Sequence, residues 1–137
     1  MTSIKFSLII PCYDEEGNIP ILIKHCKRIF KDGKFEVIFV ENGSNDNSYY
    51  ILKREINKVH NFKLVRVKKN IGLGHGVVEG LKRAKGDIIG WTHGDLQTDP
   101  LDAYKAFKIS ANYEGDFLIK GTRKKRSIIE NIFTIGM

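Results

Sequence analysis

Apolar and polar positions alternate along the chain as short runs and helical stripes. Phe6-Ser7-Leu8-Ile9-Ile10 is a brief apolar run closed by Pro11, the pattern of a buried strand. Ile19, Leu22, Ile23, Cys26 and Phe30 then recur three and four apart, which lays one stripe along a helix. Pro20 is tolerated in the first turn of that helix, and Lys31-Asp32-Gly33-Lys34 breaks it. Residues 35–40 predict a second strand and residues 41–46 a turn rich in capping side chains. A second helix follows on Ile51, Leu52, Ile56 and Val59, and residues 62–67 predict a third strand. Residues 70–76 form a glycine-rich loop opening a third helix, with Val77, Val78, Leu81 and Ala84 expected to face inward and Gly86 to stop it. Residues 87–92 predict a fourth strand, Leu101, Tyr104 and Phe107 a fourth helix, and residues 117–120 a fifth, shorter strand.

Strands separated by helices require crossover connections. The expected fold is therefore α/β, a mostly parallel sheet with helices on both faces. No internal repeat, low-complexity tract or linker interrupts the pattern.

Composition narrows this reading without redirecting it. At 137 residues the chain fits one domain able to bury a core, and 42% hydrophobic with 28% charged residues excludes a disordered chain. No apolar run approaches the roughly 18 residues needed to cross a bilayer. The first five residues lack the charged-then-apolar build of a secretory signal, so a cytoplasmic location is expected. Cys12 and Cys26 have no partners at metal spacing and read as small, reduced hydrophobes. The formal charge of +7 is partly local: Lys120, Arg123, Lys124, Lys125 and Arg126 crowd one stretch, either a phosphate-binding cluster or a solvated loop.

The polar clusters are placed with more order than composition requires. Asp14-Glu15-Glu16, residues 41–46, residues 70–76 and residues 93–99 each follow a predicted strand directly. In an open parallel sheet those loops share one edge, where ligands bind at the reversal of strand order. Gly72, Gly74 and Gly76 lead into a helix N-terminus that favours anions, though glycines also serve tight helix–strand packing. Their spacing and their place after the third strand argue against a P-loop and a dinucleotide fold. Asp95 and Gln97 stand two residues apart, so in an extended segment both point to one side. A carboxylate plus an amide oxygen suits a hard divalent cation, Mg or Mn, that takes further ligands from water and substrate phosphates. Asp99 either adds a second carboxylate or caps the helix after Pro100. His93 either contacts a nucleotide or metal-bound water or is structural.

At these residues the chain resembles the family 2 glycosyltransferases of GT-A fold, in particular the branch of dolichyl-phosphate mannosyltransferase and the polyprenyl-phosphate sugar transferases. The matching stretches are residues 7–16, 40–48, 70–74 with Gly86-Asp87, and 95–100, in family order from about residue 5 to 123. The resemblance implies a nucleotide-sugar donor, with Pro11, Tyr13 and Glu15 lining the nucleoside pocket and Glu41 facing the base. Gly43, Ser44, Gly72, Gly74 and His93 fall on the same donor-binding motifs. It further implies that Asp95 is the last acid of an Asp-X-Asp motif with Gln97 assisting at the metal, and that Arg123 lies near the donor diphosphate. The expected activity is an inverting, metal-dependent transfer to an acceptor, such as a polyprenyl-phosphate lipid or a growing glycan.

Two departures from the family pattern stand out. His93 replaces the first acid of Asp-X-Asp, and family members continue well beyond this length into an acceptor-binding portion. The expected division is a donor-binding domain over residues 1–123 and a basic, then apolar, tail over 124–137 that begins an acceptor-side or interfacial segment. A chain that binds the donor without turning it over is the alternative. Nucleic acid is not an expected partner, because Asp14, Glu15, Glu41, Asp46 and Asp95 in the crevice repel a phosphate backbone. A peripheral position at the inner membrane face would suit a lipid-phosphate acceptor.

Overall fold

The computed structural model describes residues 3–122; Arg123, Lys124, Lys125 and Arg126 of the basic cluster and the tail of residues 124–137 lie outside the described residues. The first strand, β1, spans Phe6–Cys12, and helix α1 spans Ile19–Ile29. They are followed by β2 (Phe35–Asn42), α2 (Ser48–Ile56), β3 (Phe62–Val67), α3 (Leu73–Leu81), β4 (Ile88–Trp91) and α4 (Pro100–Ser110). The strands form one parallel sheet in the order β3-β2-β1-β4. The chain winds from β1 to β3 in one direction and then returns to the other side of β1, so strand order reverses between β1 and β4.

The strand period sorts the core into two layers. Phe6, Leu8, Ile10 and Cys12 of β1, with Val37 and Phe39 of β2, face α1, α2 and α4. Ile9, Ile38, Val40 and Val67 face the opposite way and take α3. An aromatic group of Phe6, Phe30, Phe35, Tyr104 and Phe107 closes the amino end of the first layer, with Phe6 stacked on Phe107 at 5.0 Å.

The structure departs from the sequence expectations at four places in the fold. Pro11 does not end β1, which runs to Cys12 in register with β2. The Ile9 carbonyl accepts the Thr92 N–H, so odd-numbered residues of β1 address β4. Pro11 lies past the last paired residue of β4, and its missing donor faces the open side. Glu41 and Asn42 belong to β2 and not to the following turn. In α3 the packing face is Gly76 and Gly80, whereas Val78 and Leu81 are exposed. A Cβ on Gly80 would meet Ile9 Cγ2 at 2.5 Å, so this helix lies too close to the sheet for larger side chains. The fifth strand is not formed among the described residues: residues 117–120 are irregular, with Leu118 90% exposed and no strand beside them to pair with.

A buried carboxylate holds the amino end of the sheet. Glu36 of β2 is 1% exposed and accepts from Ser7 Oγ at 2.6 Å, Lys63 Nζ at 2.7 Å and the Lys85 N–H at 2.7 Å. Ser7 Oγ in turn accepts the Gly86 N–H, so the connection from α3 to β4 is tied to β1 and β2 together. Burial alone would raise the Glu36 pKa, but the bonds from Lys63, Ser7 and Lys85 outweigh it and hold the carboxyl below its ordinary range.

Candidate functional site at the carboxyl rim

The loops after β1 and β4 flank the point where strand order reverses, the place at which parallel α/β sheets bind ligands. They meet directly. A Cβ on Gly94 would lie 2.9 Å from both Cys12 Sγ and the Pro11 carbonyl, so the residue preceding Asp95 is packed against the end of β1. Glu15 and Glu41 both act electrostatically on Cys12, after burial, which is the main reason its thiol is pushed far up. Glu15 after β1, Glu41 at the end of β2 and Asp95 after β4 lie at the same carboxyl edge of the parallel sheet.

The loops after β1 and β2 are laced together by backbone N–H groups and short polar side chains. The Asp14 N–H donates to Ser44 Oγ at 3.0 Å, and Asp14 Oδ1 accepts the Asn45 N–H at 2.7 Å. Ser48 Oγ accepts the Glu15 N–H at 2.9 Å, while the Glu16 N–H donates to Asp46 Oδ2 and Glu16 Oε2 accepts the Asn47 N–H across the same gap. Asp14 takes a positive φ of 51° to make this bracket. Asp46 is pushed up by desolvation, but bonds from the Ser48 side chain, the Ser48 N–H and the Glu16 N–H bring it below the usual carboxylate range.

Within this frame the expected site residues take distinct positions. Tyr13 is 43% exposed at the rim and its hydroxyl accepts from Asn45 Nδ2. Glu15 starts α1: its carbonyl takes the Asn18 and Ile19 N–H groups and its Oε2 takes Asn18 Nδ2 at 2.7 Å. Glu41 is buried and its Oε1 accepts the Ser44 N–H at 2.7 Å, so it braces the turn that carries Gly43 and Ser44. Gly43 has φ 73°, and a Cβ there would lie 2.4 Å from the Asn70 nitrogen; only glycine lets the loops after β2 and β3 touch. Gly72 and Gly74 stand in open space at the start of α3, whose first turn has no side-chain cap and thus presents free N–H groups. His93 is half-buried and lies edge-to-face on Trp91, ring centroids 5.1 Å apart.

The segment carrying Asp95 and Gln97 is a turn and not the extended stretch expected. Leu96 has φ 63°, and Asp95 Oδ1 accepts the Gln97 N–H at 3.0 Å. An aspartate that bonds the backbone two residues on closes a local turn in preference to continuing a strand. Shared sidedness from strand period therefore does not apply here. Asp99 caps α4, accepting the Leu101 N–H at 2.9 Å, one of the two roles open to it.

No group of three or more His, Cys, Asp or Glu side chains among the described residues encloses a metal. What exists is an open donor set: one carboxylate with an oxygen outside the turn bond, and an exposed amide at Gln97. Such a set fits a hard cation that keeps waters and completes its shell from a substrate diphosphate, and does not fit a resident structural ion.

Two residues at the rim escaped the sequence reading. Asn42, the last residue of β2, is buried beneath α3 and donates Nδ2 to the Gly72 carbonyl at 3.2 Å, while its Oδ1 is buried without a partner. Trp91 closes β4 with 48% of its surface exposed. Strand alternation extended two residues beyond residue 40 would have placed Asn42 on the α3 face.

A four-stranded parallel sheet with a polar crevice at the strand reversal, laced acidic loops and an aspartate-centred turn defines the donor half of a GT-A glycosyltransferase fold. The model of glycosyl transferase family 2 matches residues 7–128, and the chain belongs to that family. It is 31% identical over 126 residues to the undecaprenyl-phosphate 4-deoxy-4-formamido-L-arabinose transferase of Proteus mirabilis, covering 88% of this chain and 37% of that protein. The homologous transferase of Aeromonas hydrophila is 34% identical over 106 residues, covering 72% of this chain and 32% of its own. The chain thus spans about a third of the length of the curated relatives it matches. Among solved structures, residues 1–349 of S. aureus TarS in complex with UDP-GlcNAc superpose with a TM-score of 0.64 at 25% identity, over 80% of this chain and 32% of that one. The Pyrobaculum calidifontis mannosyltransferase PcManGT, solved with GDP-Man and Mn2+, shares the fold at a TM-score of 0.59 and 21% identity, over 78% and 32% of the two chains.

Proposed function

We propose that this chain forms the donor-binding part of an inverting glycosyltransferase that moves a sugar from a nucleoside diphosphate to a polyprenyl-phosphate acceptor. The observation that carries the reading is the packing of Gly94 against Pro11 and Cys12, which brings the Asp95 turn to the bracket of loops at the strand reversal. Membership of the family supports the activity, and the relatives are named as undecaprenyl-phosphate sugar transferases, which supports the acceptor class.

Each group then has a task. Pro11, Tyr13 and Glu15 form the wall beside the nucleoside, and Glu41 holds Gly43 and Ser44 in place beneath it. The uncapped first turn of α3, entered through Gly72 and Gly74, offers N–H groups to anionic parts of the donor. Asp95 and Gln97 would hold a divalent cation, whose contribution when bound is to neutralise charge building on the departing diphosphate. In the sequence, Arg123 is the basic side chain proposed to share that work. A phosphate acceptor is ionised at neutral pH, so attack on the sugar carbon needs no protein base to remove a proton. Such an acceptor places the protein peripherally at a membrane; no helix among the described residues is long and apolar enough to cross one.

Calorimetry with a panel of UDP- and GDP-sugars, with and without Mn2+, tests this directly. One donor is expected to bind with Mn2+, and Asp95→Ala is expected to remove the Mn2+-dependent part of the affinity. Donor binding that is unaffected by Asp95→Ala would sink the proposal. Transfer to a short-chain polyprenyl phosphate, assayed beside binding, separates capture from turnover.

A further inference from the structure

One segment of the rim, whose backbone is assigned above to the donor, carries side chains that donor binding does not use. The connection from β3 to α3 reads Lys68-Lys69-Asn70-Ile71-Gly72-Leu73, and both lysines are exposed. No carboxylate lies within ion-pair distance of either lysine among the described residues. Ile71 and Leu73, on either side of Gly72, are 63% and 43% exposed, although both are large aliphatic side chains. A tip that shows two aliphatic side chains to solvent beside two unpaired lysines matches an anionic bilayer surface. The apolar groups enter the acyl boundary and the ammonium groups stay among the headgroups.

We propose that this tip seats the carboxyl rim on an anionic lipid surface. The inference deepens the reading of the site as a sugar transferase with a lipid-phosphate acceptor, and in its functional sense rests on it.

The rest of the rim fixes the orientation. Asp14, Glu16 and Asp46 sit on the loops after β1 and β2, their carboxylates accepting the backbone N–H groups of Asn45, Asn47 and Glu16 respectively, and would be repelled by anionic headgroups. The rim is therefore basic and apolar at its β3–α3 corner and acidic at the α1–α2 side. A protein charged in this way docks tilted, corner down, and leaves the crevice beside the surface and open to it. A phosphate carried by a membrane-embedded chain would then reach the crevice from the side of that corner.

Two features make the test clean. Cys12 and Cys26 are buried, and burial raises both thiols, that of Cys26 to about 12, so one introduced cysteine takes a thiol-reactive dye selectively. Lys34 lies at the amino end of the sheet, just before β2, and gives a control position away from the rim. The full chain carrying Ile71→Cys or Lys34→Cys is labelled with an environment-sensitive dye and mixed with phosphatidylglycerol–phosphatidylcholine vesicles. The label at position 71 is expected to shift to the blue and brighten, and the label at 34 to stay unchanged. In co-sedimentation, I71S/L73S is expected to abolish pelleting, and K68S/K69S to lower partitioning on the order of 30-fold, from about 1 kcal/mol per lysine. A chain that ignores the vesicles, a silent label at 71 despite pelleting, or equal responses at 71 and 34 would each overturn the proposal. Donor calorimetry on the same samples keeps the two ideas apart. A label that responds in a chain binding no nucleotide sugar sinks the transferase reading alone, and donor binding with a silent label sinks the lipid seat alone.

Discussion

Helix α3 contains two glycines whose replacement by alanine should have opposite signs. Gly74 and Gly80 lie in the same nine-residue helix, and in isolation each alanine would favour the helix by about 1 kcal/mol. At Gly80 the new methyl would stand 2.5 Å from Ile9 Cγ2 and 3.0 Å from Val40 Cγ2. Comfortable carbon contacts are about 3.5–4.0 Å, so either the helix or the strand must give by about 1 Å. Neither yields easily: Ile9 and Val40 are fully buried and β-branched, with stiff χ1 torsions inside a close-packed layer. Overpacking of this kind costs about 1–3 kcal/mol, and the upper end applies here, leaving Gly80→Ala destabilised by about 1–2 kcal/mol net. At Gly74 nothing lies within 4 Å of the new methyl, so the helix gain survives and the chain is stabilised by about 0.5–1 kcal/mol. With a urea slope of about 1.5 kcal/mol per molar, the two midpoints should differ by about 1–2 M. Urea melts followed by far-ultraviolet circular dichroism measure this. Equal shifts for the two variants, or a Gly80→Ala chain at least as stable as the parent, would refute the close helix–sheet contact.

Four further outcomes follow from the structure. Glu36→Ala should cost about 2–3 kcal/mol, because Ser7 Oγ and the Lys85 N–H lose a buried acceptor while Lys63 can regain water. Its folded pKa is depressed, so its stabilisation is present above the ordinary carboxylate range and is lost as pH falls through the folded value; Glu36→Gln should flatten that acid limb in pH-dependent melts. Both cysteines should stay unreactive to a thiol reagent at pH 8 in the folded chain and react once it is unfolded in urea, since burial holds them as thiols. Asn42→Ala should lower donor affinity in calorimetry by freeing the Gly72 carbonyl, yet change stability by under about 1 kcal/mol, because it also removes a buried acceptor with no partner.

Much of the fold is legible in the sequence because periodicity is a local signal. The third strand falls at residues 62–67 as its apolar run indicates, and the stripe from Ile19 to Phe30 produces α1 with Pro20 in its first turn. The misreadings arise where a distant element decides. Pro11 continues its strand because β4 is short on that side, a fact held in the length of a strand nearly eighty residues further on. Val78 and Leu81 look like a core stripe, but helix-to-sheet distance selects Gly76 and Gly80 for the inner face. The four loops share one rim, as strand order demands, whereas the bonds that lace Asp14 to Ser44 and Asn45 span about thirty residues and leave no local trace. Glu36 did leave one: a carboxylate near the start of an otherwise apolar run signals a buried network, and strand register puts it beside Ser7.

The rim is preorganised on one side only. Around Tyr13, Glu15 and Ser44 the bracket of backbone N–H groups and carboxylates fixes the loops before any ligand arrives, and the lowered pKa of Asp46 keeps part of that bracket ionised well into mild acid. On the other side the Asp95 turn rests on one bond to the Gln97 N–H, on the contact of Gly94 with the end of β1 and on Leu96 packed against the first core layer, with no lacing of N–H groups like that between the loops after β1 and β2. Rigid binding groups reduce the ordering cost of capture, so the nucleoside half of a donor should contribute most of the affinity, even when its sugar is removed. The carboxylate half, held by fewer contacts, would be completed by the diphosphate and its cation. A free nucleoside diphosphate should then bind nearly as well as the whole nucleotide sugar, and the nucleoside alone should retain binding that does not depend on Mn2+. If the nucleoside alone fails to bind while the diphosphate binds only with Mn2+, the order of rigidity argued from these loops is inverted.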